Sequence, residues 1–172
     1  MTTQIQIDGE IFQNTIKILR DLISFKTESG KSNLELINYC ELKLKKSGAS
    51  SLKTFNNSKT QANLFSTIKG ENPQGIGIVL SGHTDVVPAV PSEWTSDPYL
   101  LREEDDKLYG RGTCDMKGFI ACTLAVAPLF ASSKLKKPIH FSYTFDEETG
   151  CLGAPLVLAD LKKRNLNFSS CI

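Results

Sequence analysis

His83 and Asp85 stand two residues apart in Ser81-Gly-His-Thr-Asp85. Asp115 lies inside Gly110-Arg-Gly-Thr-Cys-Asp-Met-Lys-Gly118. Asp146, Glu147 and Glu148 form a run of three carboxylates. One imidazole with several carboxylates is a donor set that suits zinc, manganese or cobalt. A second carboxylate beside a ligand carboxylate is what water-activating hydrolases use as general base. Asp85 can reach the other imidazole nitrogen of His83, fixing the tautomer and making the free nitrogen a better ligand. Each residue also has a plainer reading. His83 can cap a strand end, Asp85 can start a turn before Pro88, Asp115 can cap a helix, and the three acids can simply face water. Both sets of readings remain open on spacing alone, and the chemistry they frame is metal-dependent hydrolysis.

The segments that carry these groups must converge. Gly75-Ile-Gly-Ile-Val-Leu80 reads as a buried strand from the middle of a parallel sheet. That puts His83 just past its carboxyl end, where open α/β sheets hold their ligands. Ile139 to Phe145 alternates as a strand and runs straight into Asp146-Glu-Glu148. Phe119 to Phe130 reads as an alanine-rich helix that Pro128 ends or kinks, so Asp115 sits near a helix start. The glycines around Asp115 predict an unusual backbone path there. A phosphate loop is a weaker reading, because neither G-x-x-x-x-G-K-[ST] nor G-x-G-x-x-G occurs at these places.

The remaining elements frame these three. A helical stripe covers Ile11 to Phe25 and is broken at Thr27-Glu-Ser-Gly30. A second helix is expected over Leu34 to Lys46, with Asn33 as its cap and Gly48 as its stop. Ser51 to Phe55 and Asn63 to Lys69 read as strands, followed by a turn over Gly70 to Gly75. Asp85 to Leu100, with Pro88, Pro91 and Pro98, reads as a rigid loop. Tyr99 to Tyr109 reads as a hairpin whose acidic tip, Glu103 to Asp106, stays in water. Gly153 to Lys163 is expected to be a helix, and Asn167 to Ile172 the start of a further strand. His140 falls inside a strand and is expected to serve the core rather than a metal.

With 172 residues the chain is long enough for one domain with a real core. Its net charge of +1 argues against nucleic acid or an anionic membrane as partner. No apolar run is long enough to span a bilayer, and the first eight residues lack the pattern of a signal peptide. The five cysteines are irregularly spaced, without C-x-x-C, and are expected to be reduced thiols of a cytoplasmic protein.

Three segments carry a resemblance. Ser81-Gly-His-Thr-Asp-Val-Val-Pro88, Leu108-Tyr-Gly-Arg-Gly-Thr-Cys-Asp-Met-Lys-Gly118 and Phe145-Asp-Glu-Glu-Thr-Gly150 resemble, in order and separation, the three signatures of a di-zinc amidohydrolase family. That family contains acetylornithine deacetylases, succinyl-diaminopimelate desuccinylases, aminoacylases and related carboxypeptidases. The segments Trp94 to Pro98, Arg111 to Phe119 and Gly150 to Gly153 are most similar to its acetylornithine deacetylase branch. The resemblance implies an α/β fold, a three-layer α/β/α zinc-peptidase-like catalytic domain with a mixed central sheet. It implies two Zn2+ ions, with Co2+ or Mn2+ as alternatives. His83 would bind one ion, Glu148 the other, and Asp115 both. Glu147 would be general base, then general acid, and Asp85 would orient His83. The Asp115-Met116 peptide would be cis. The implied substrate is a small N-acyl amino acid, N2-acetyl-L-ornithine, in arginine biosynthesis, and the implied assembly is a homodimer. The family pattern continues past Ile172 with a further carboxylate, a lid and dimerisation domain and a late histidine. Residues 1–172 are therefore expected to be the N-terminal part of the catalytic domain and to have little activity alone. Two alternatives stay open: a desuccinylase-like enzyme, and a non-enzymatic chain that binds a partner through an uncovered apolar face.

Overall fold

A computed structural model describes residues 9–172. The expectation about a signal peptide falls on the first eight residues and lies outside the described residues.

Helix α1, Gly9–Ser24, buries Ile16, Ile18, Leu19, Leu22 and Ile23 on one stripe. Helix α2, Leu34–Lys46, keeps the expected bounds and buries Leu36, Ile37, Cys40 and Leu44. Asn33 makes no side-chain cap, contrary to expectation. Its amide is drawn away: Nδ2 donates to the Ala62 carbonyl at 2.9 Å and to Thr84 Oγ1 at 2.8 Å. Its Oδ1 accepts from the Ala62 N–H at 2.9 Å. A buried amide turned to three such partners faces away from the start of its own helix.

The strands are β1 Ser50–Phe55, β2 Ala62–Ile68, β3 Gly77–His83, β4 Arg102–Glu104, β5 Lys107–Tyr109, β6 Ile139–Thr144 and β7 Phe168–Cys171. The main sheet has the order β1-β2-β6-β3-β7, and β4-β5 form a separate hairpin. β1, β2 and β6 pair antiparallel, whereas β6, β3 and β7 pair parallel, so the sheet is mixed as expected. β3 runs to His83 rather than stopping at Leu80, so the histidine is the last strand residue and not the first loop residue. The hairpin turns at Asp105-Asp106, both in the left-handed region, and all four acids of Glu103 to Asp106 are exposed.

Helix α3, Lys117–Ser132, runs past Pro128 for a further turn. Helix α4 is Ala154–Lys163. Leu64, Ile68, Ile139, Phe141 and Tyr143 point from one sheet face into a core shared with α1, α2 and α3. The alternate residue Phe65 points to the other face and packs against Val157 and Leu161 of α4. Helices on both faces of a mixed sheet make the three layers.

His140 lies on the α4 side of β6. It is buried, stacked on Phe65 with ring centroids 5.4 Å apart, and hydrogen-bonded through Nδ1 to Thr67 at 2.9 Å. Burial, helped by the nearby Arg164 guanidinium, pushes its pKa down to about 4. The unfolded chain therefore takes up a proton near pH 6.5 that the folded chain refuses until about pH 4. Stability is expected to fall as pH drops from about 6.5 towards 4, by roughly 2–3 kcal/mol from this residue. Urea unfolding at a series of pH values would read it, and His140→Gln should flatten that part of the curve.

Candidate active site

β3 and β6 pair in parallel with His83 opposite Thr144. Both strands therefore release their chains at the same sheet end. The exits are tied together, since the Thr84 N–H and its hydroxyl both donate to the Thr144 carbonyl at 2.8 Å. This register brings His83 to within reach of the carboxylates that follow β6.

The third loop arrives from the hairpin. Gly112 takes φ +90° and lies where a Cβ would meet Val86 Cγ1 at 2.7 Å, so only glycine fits that turn. Its carbonyl accepts from the Lys117 N–H at 2.8 Å, and the Asp115-Met116 peptide is cis, as the resemblance implied. The residue at the N-cap of α3 is Met116, so the plainer reading of Asp115 as helix cap fails. Asp115 instead points its carboxylate at His83, Oδ1 to Nε2, at 2.9 Å.

His83, Glu147 and Glu148 each offer a ligand atom, and these atoms lie within 4.8 Å of one another. Glu147 Oε2 is 3.8 Å from His83 Nε2. The His83 side chain is buried, whereas those of Asp115 and Glu147 are 71% and 44% exposed. The cluster thus opens to solvent on its carboxylate side, where a substrate can enter. Imidazole and carboxylates gathered so closely are a fitting donor set for zinc.

Asp85 departs in detail from its expected role. The nearest partner of His83 Nδ1 is the Asp85 backbone carbonyl at 3.0 Å, and the Asp85 carboxylate is 3.5 Å away. A carbonyl only accepts, so Nδ1 donates to it, and Nε2, which faces the Asp115 carboxylate, is the nitrogen a metal would take. The Asp85 carboxylate is occupied mainly elsewhere. Oδ1 accepts from the Glu147 N–H at 3.0 Å, and Oδ2 accepts from the Glu148 N–H at 3.2 Å and from the Ser29 hydroxyl at 2.8 Å. It orients the backbone of the two glutamates as well as the histidine ring. Asp146 is not part of the open cluster. It is buried, and its Oδ1 accepts from Gln61 Nε2 at 2.7 Å and the Gly30 N–H at 2.8 Å.

The electrostatics follow from these contacts. Burial opposes charge on His83, but the carboxylates of Asp85 and Asp115 outweigh it and raise the imidazole to about 9. Burial likewise opposes charge on Asp85, and the hydrogen bonds from His83, Glu147, Ser29 and Glu148 overcome it, holding its carboxyl at about 2. Glu148 is raised, first by burial and then by the neighbouring Asp115 charge. Such opposed shifts among adjacent groups are typical of functional sites.

Two features were not read from the sequence. Lys117 is fully buried, and Nζ donates to the carbonyls of Leu22 at 3.0 Å and Phe25 at 2.7 Å, at the end of α1. Burial drops its pKa to about 7. Its place in Gly110 to Gly118 was a visible signal, but its partners lie some ninety residues earlier. Ser29 had no local signal at all.

Residues 79–172, more than half of the chain, match peptidase family M20/M25/M40. The chain belongs to this family. Among M20 relatives, the acetylornithine deacetylase of Yersinia pestis is 47% identical over 105 residues, which are 59% of this chain and 27% of that protein. The acetylornithine deacetylase of Salmonella newport is 46% identical over 92 residues, 54% of this chain and 24% of that protein. The matched stretch is thus about a quarter of the length of these curated relatives. The fold is that of an M20 metallo-carboxypeptidase from Sulfolobus solfataricus, with TM-score 0.77 and 23% identity over 96% of this chain and 37% of that one. Human carnosine dipeptidase 1 gives a TM-score of 0.71 at 23% identity, covering 90% of this chain and 38% of its own. No described helix is long and apolar enough to cross a membrane.

Proposed function

We propose that these residues form one side of a two-zinc site that hydrolyses the acetamide of N2-acetyl-L-ornithine, giving ornithine and acetate. The observation that carries the reading is the convergence of His83, Asp115, Glu147 and Glu148 at the ends of two parallel strands and one glycine-bounded loop. The identity to acetylornithine deacetylases supports this substrate over other N-acyl amino acids.

His83 Nε2 and Asp115 would hold one zinc, Asp115 and Glu148 the other. Bound zinc supplies a Lewis acid that polarises the acetyl carbonyl and makes water acidic near pH 7. The chain's own residues do the rest. Glu147 accepts a proton from the attacking water and returns it to the departing amine nitrogen as the C–N bond breaks. The products are acetate and the free amine. Asp85 holds the backbone of Glu147 and Glu148 so that the base and the ligand face the substrate from adjacent positions. Two protein ligands per zinc are one fewer than catalytic zinc ordinarily has. The reading therefore places further ligands outside these residues.

Zinc content after dialysis and ornithine release test the reading together. The expected result is zinc uptake that His83→Ala abolishes, with little ornithine release from the 172-residue chain alone. An extended chain should then prefer acetylornithine to succinyl-diaminopimelate. Absence of zinc uptake by the extended chain would sink the metal reading, and preference for the succinyl substrate would sink the choice of acyl group.

A further inference from the structure

The turn between α1 and α2, Thr27 to Gly30, touches the loops that follow β3 and β6. It runs beside the chain that follows β3, with Glu28 bridged in parallel to Val86. The Val86 N–H donates to the Thr27 carbonyl at 3.0 Å, and the Ser29 N–H donates to the Val86 carbonyl at 3.1 Å. The buried Thr27 hydroxyl donates to the Thr84 carbonyl at 2.6 Å. Through these bonds the turn grips the segment that carries His83 and Asp85.

Its other contacts reach the glutamates. The Gly30 N–H holds the buried Asp146, directly before Glu147. The Ser29 hydroxyl holds Asp85 Oδ2, whose only other hydrogen-bond donor among the described residues is the Glu148 N–H at 3.2 Å. The Asp115 loop is tied in from behind, since Lys117 donates to the Phe25 carbonyl just before the turn. Segments far apart in sequence therefore meet on Phe25 and the turn that follows it.

We infer that Ser29 is a positioning residue, which fixes the Asp85 carboxylate and through it the orientation of His83, Glu147 and Glu148. Without the hydroxyl, Oδ2 keeps one long bond, and the carboxylate is held only through the two glutamate N–H groups and loses its one short anchor. The two glutamate N–H groups then share a less firmly held acceptor, and His83 keeps the Asp85 carbonyl at Nδ1 but has a looser carboxylate beside it. Groups one step removed from a metal ligand ordinarily change metal affinity by 10- to 100-fold. The consequence for metal rests on the zinc reading above, whereas the hydrogen-bond clasp itself does not.

The test compares the unaltered chain with Ser29→Ala and Ser29→Thr by amide hydrogen exchange and by zinc titration. In Ser29→Ala the Glu147 and Glu148 amides should exchange about tenfold faster while the β6 amides keep their rates, and zinc should bind about tenfold more weakly. Ser29→Thr retains the hydroxyl and should restore both. Ser29→Cys, a near-isosteric and weaker donor, should fall between them and stands in if the alanine variant does not fold. Unchanged exchange at Glu147 and Glu148 overturns the inference, as does equal acceleration throughout β6, which marks a merely structural residue. If an extended chain takes up no zinc but the selective exchange change is seen, the zinc reading falls and the clasp stands.

Discussion

Glu147→Gln is expected to lower ornithine release by about 10²- to 10⁴-fold, the usual contribution of a positioned acid–base group. Zinc affinity should stay within about twofold. Glutamine keeps the shape and the backbone N–H that Asp85 accepts from, and removes only the ability to take a proton. Turnover is read on an extended chain that hydrolyses acetylornithine, and affinity by competition titration on the present one. The second readout matters because Glu147 Oε2 lies 3.8 Å from His83 Nε2 and belongs to the close trio with Glu148. A fall in zinc affinity of tenfold or more would make Glu147 a ligand and hand the proton-transfer role to another carboxylate.

Gly153→Ala is expected to destabilise the chain by about 3 kcal/mol, the upper part of the range for forcing extra atoms into a packed site. An added Cβ would lie 2.4 Å from Asn63 Oδ1, 2.7 Å from the Phe145 carbonyl oxygen and 2.8 Å from the Phe145 nitrogen. Two of these are backbone atoms that cannot swing aside. The Gly153 N–H also donates to the Phe145 carbonyl at 3.0 Å, and the Asn63 amide donates to the Gly153 carbonyl at 3.0 Å. Relief of the clash must therefore open the turn that carries Glu147 and Glu148. A thermal midpoint lower by roughly 6–12 °C follows from the size of the chain. Weaker zinc binding in the folded fraction should accompany it. An unchanged midpoint would mean that this turn yields more easily than its hydrogen bonds suggest.

Much of this architecture was legible because its signals are local. The apolar runs of β3 and β6 marked two buried strands, and His83 and Glu147-Glu148 stood at their ends. Glycines bracketed the Asp115 loop, and the stripe and length of α2 gave its bounds. What was not legible depends on partners remote in sequence. Asn33 looked like a helix cap, but Ala62 and Thr84 compete for its amide and win because all three are buried together. Asp146 looked equivalent to its two neighbours, yet a φ of +50° turns it inward to Gly30 and Gln61. The acidic run hid one structural residue beside two open ones. Asp85 was recognised as the companion of His83, but its backbone carbonyl is closer to the ring than its carboxylate. No pattern in one stretch of sequence reveals such a division.

The pairing of β3 with β6 also sets a kinetic order. Asp85 and Glu148 are 63 residues apart, and their contact exists only once the two strands lie side by side. A parallel pair cannot form as a simple hairpin: the intervening loop, hairpin and α3 must first be gathered, at an entropic cost that grows with the length enclosed. β1 and β2, joined by a short turn, face no such delay. The site is therefore expected to be among the last parts of the molecule to form, with the antiparallel strands paired before the carboxylates are gathered.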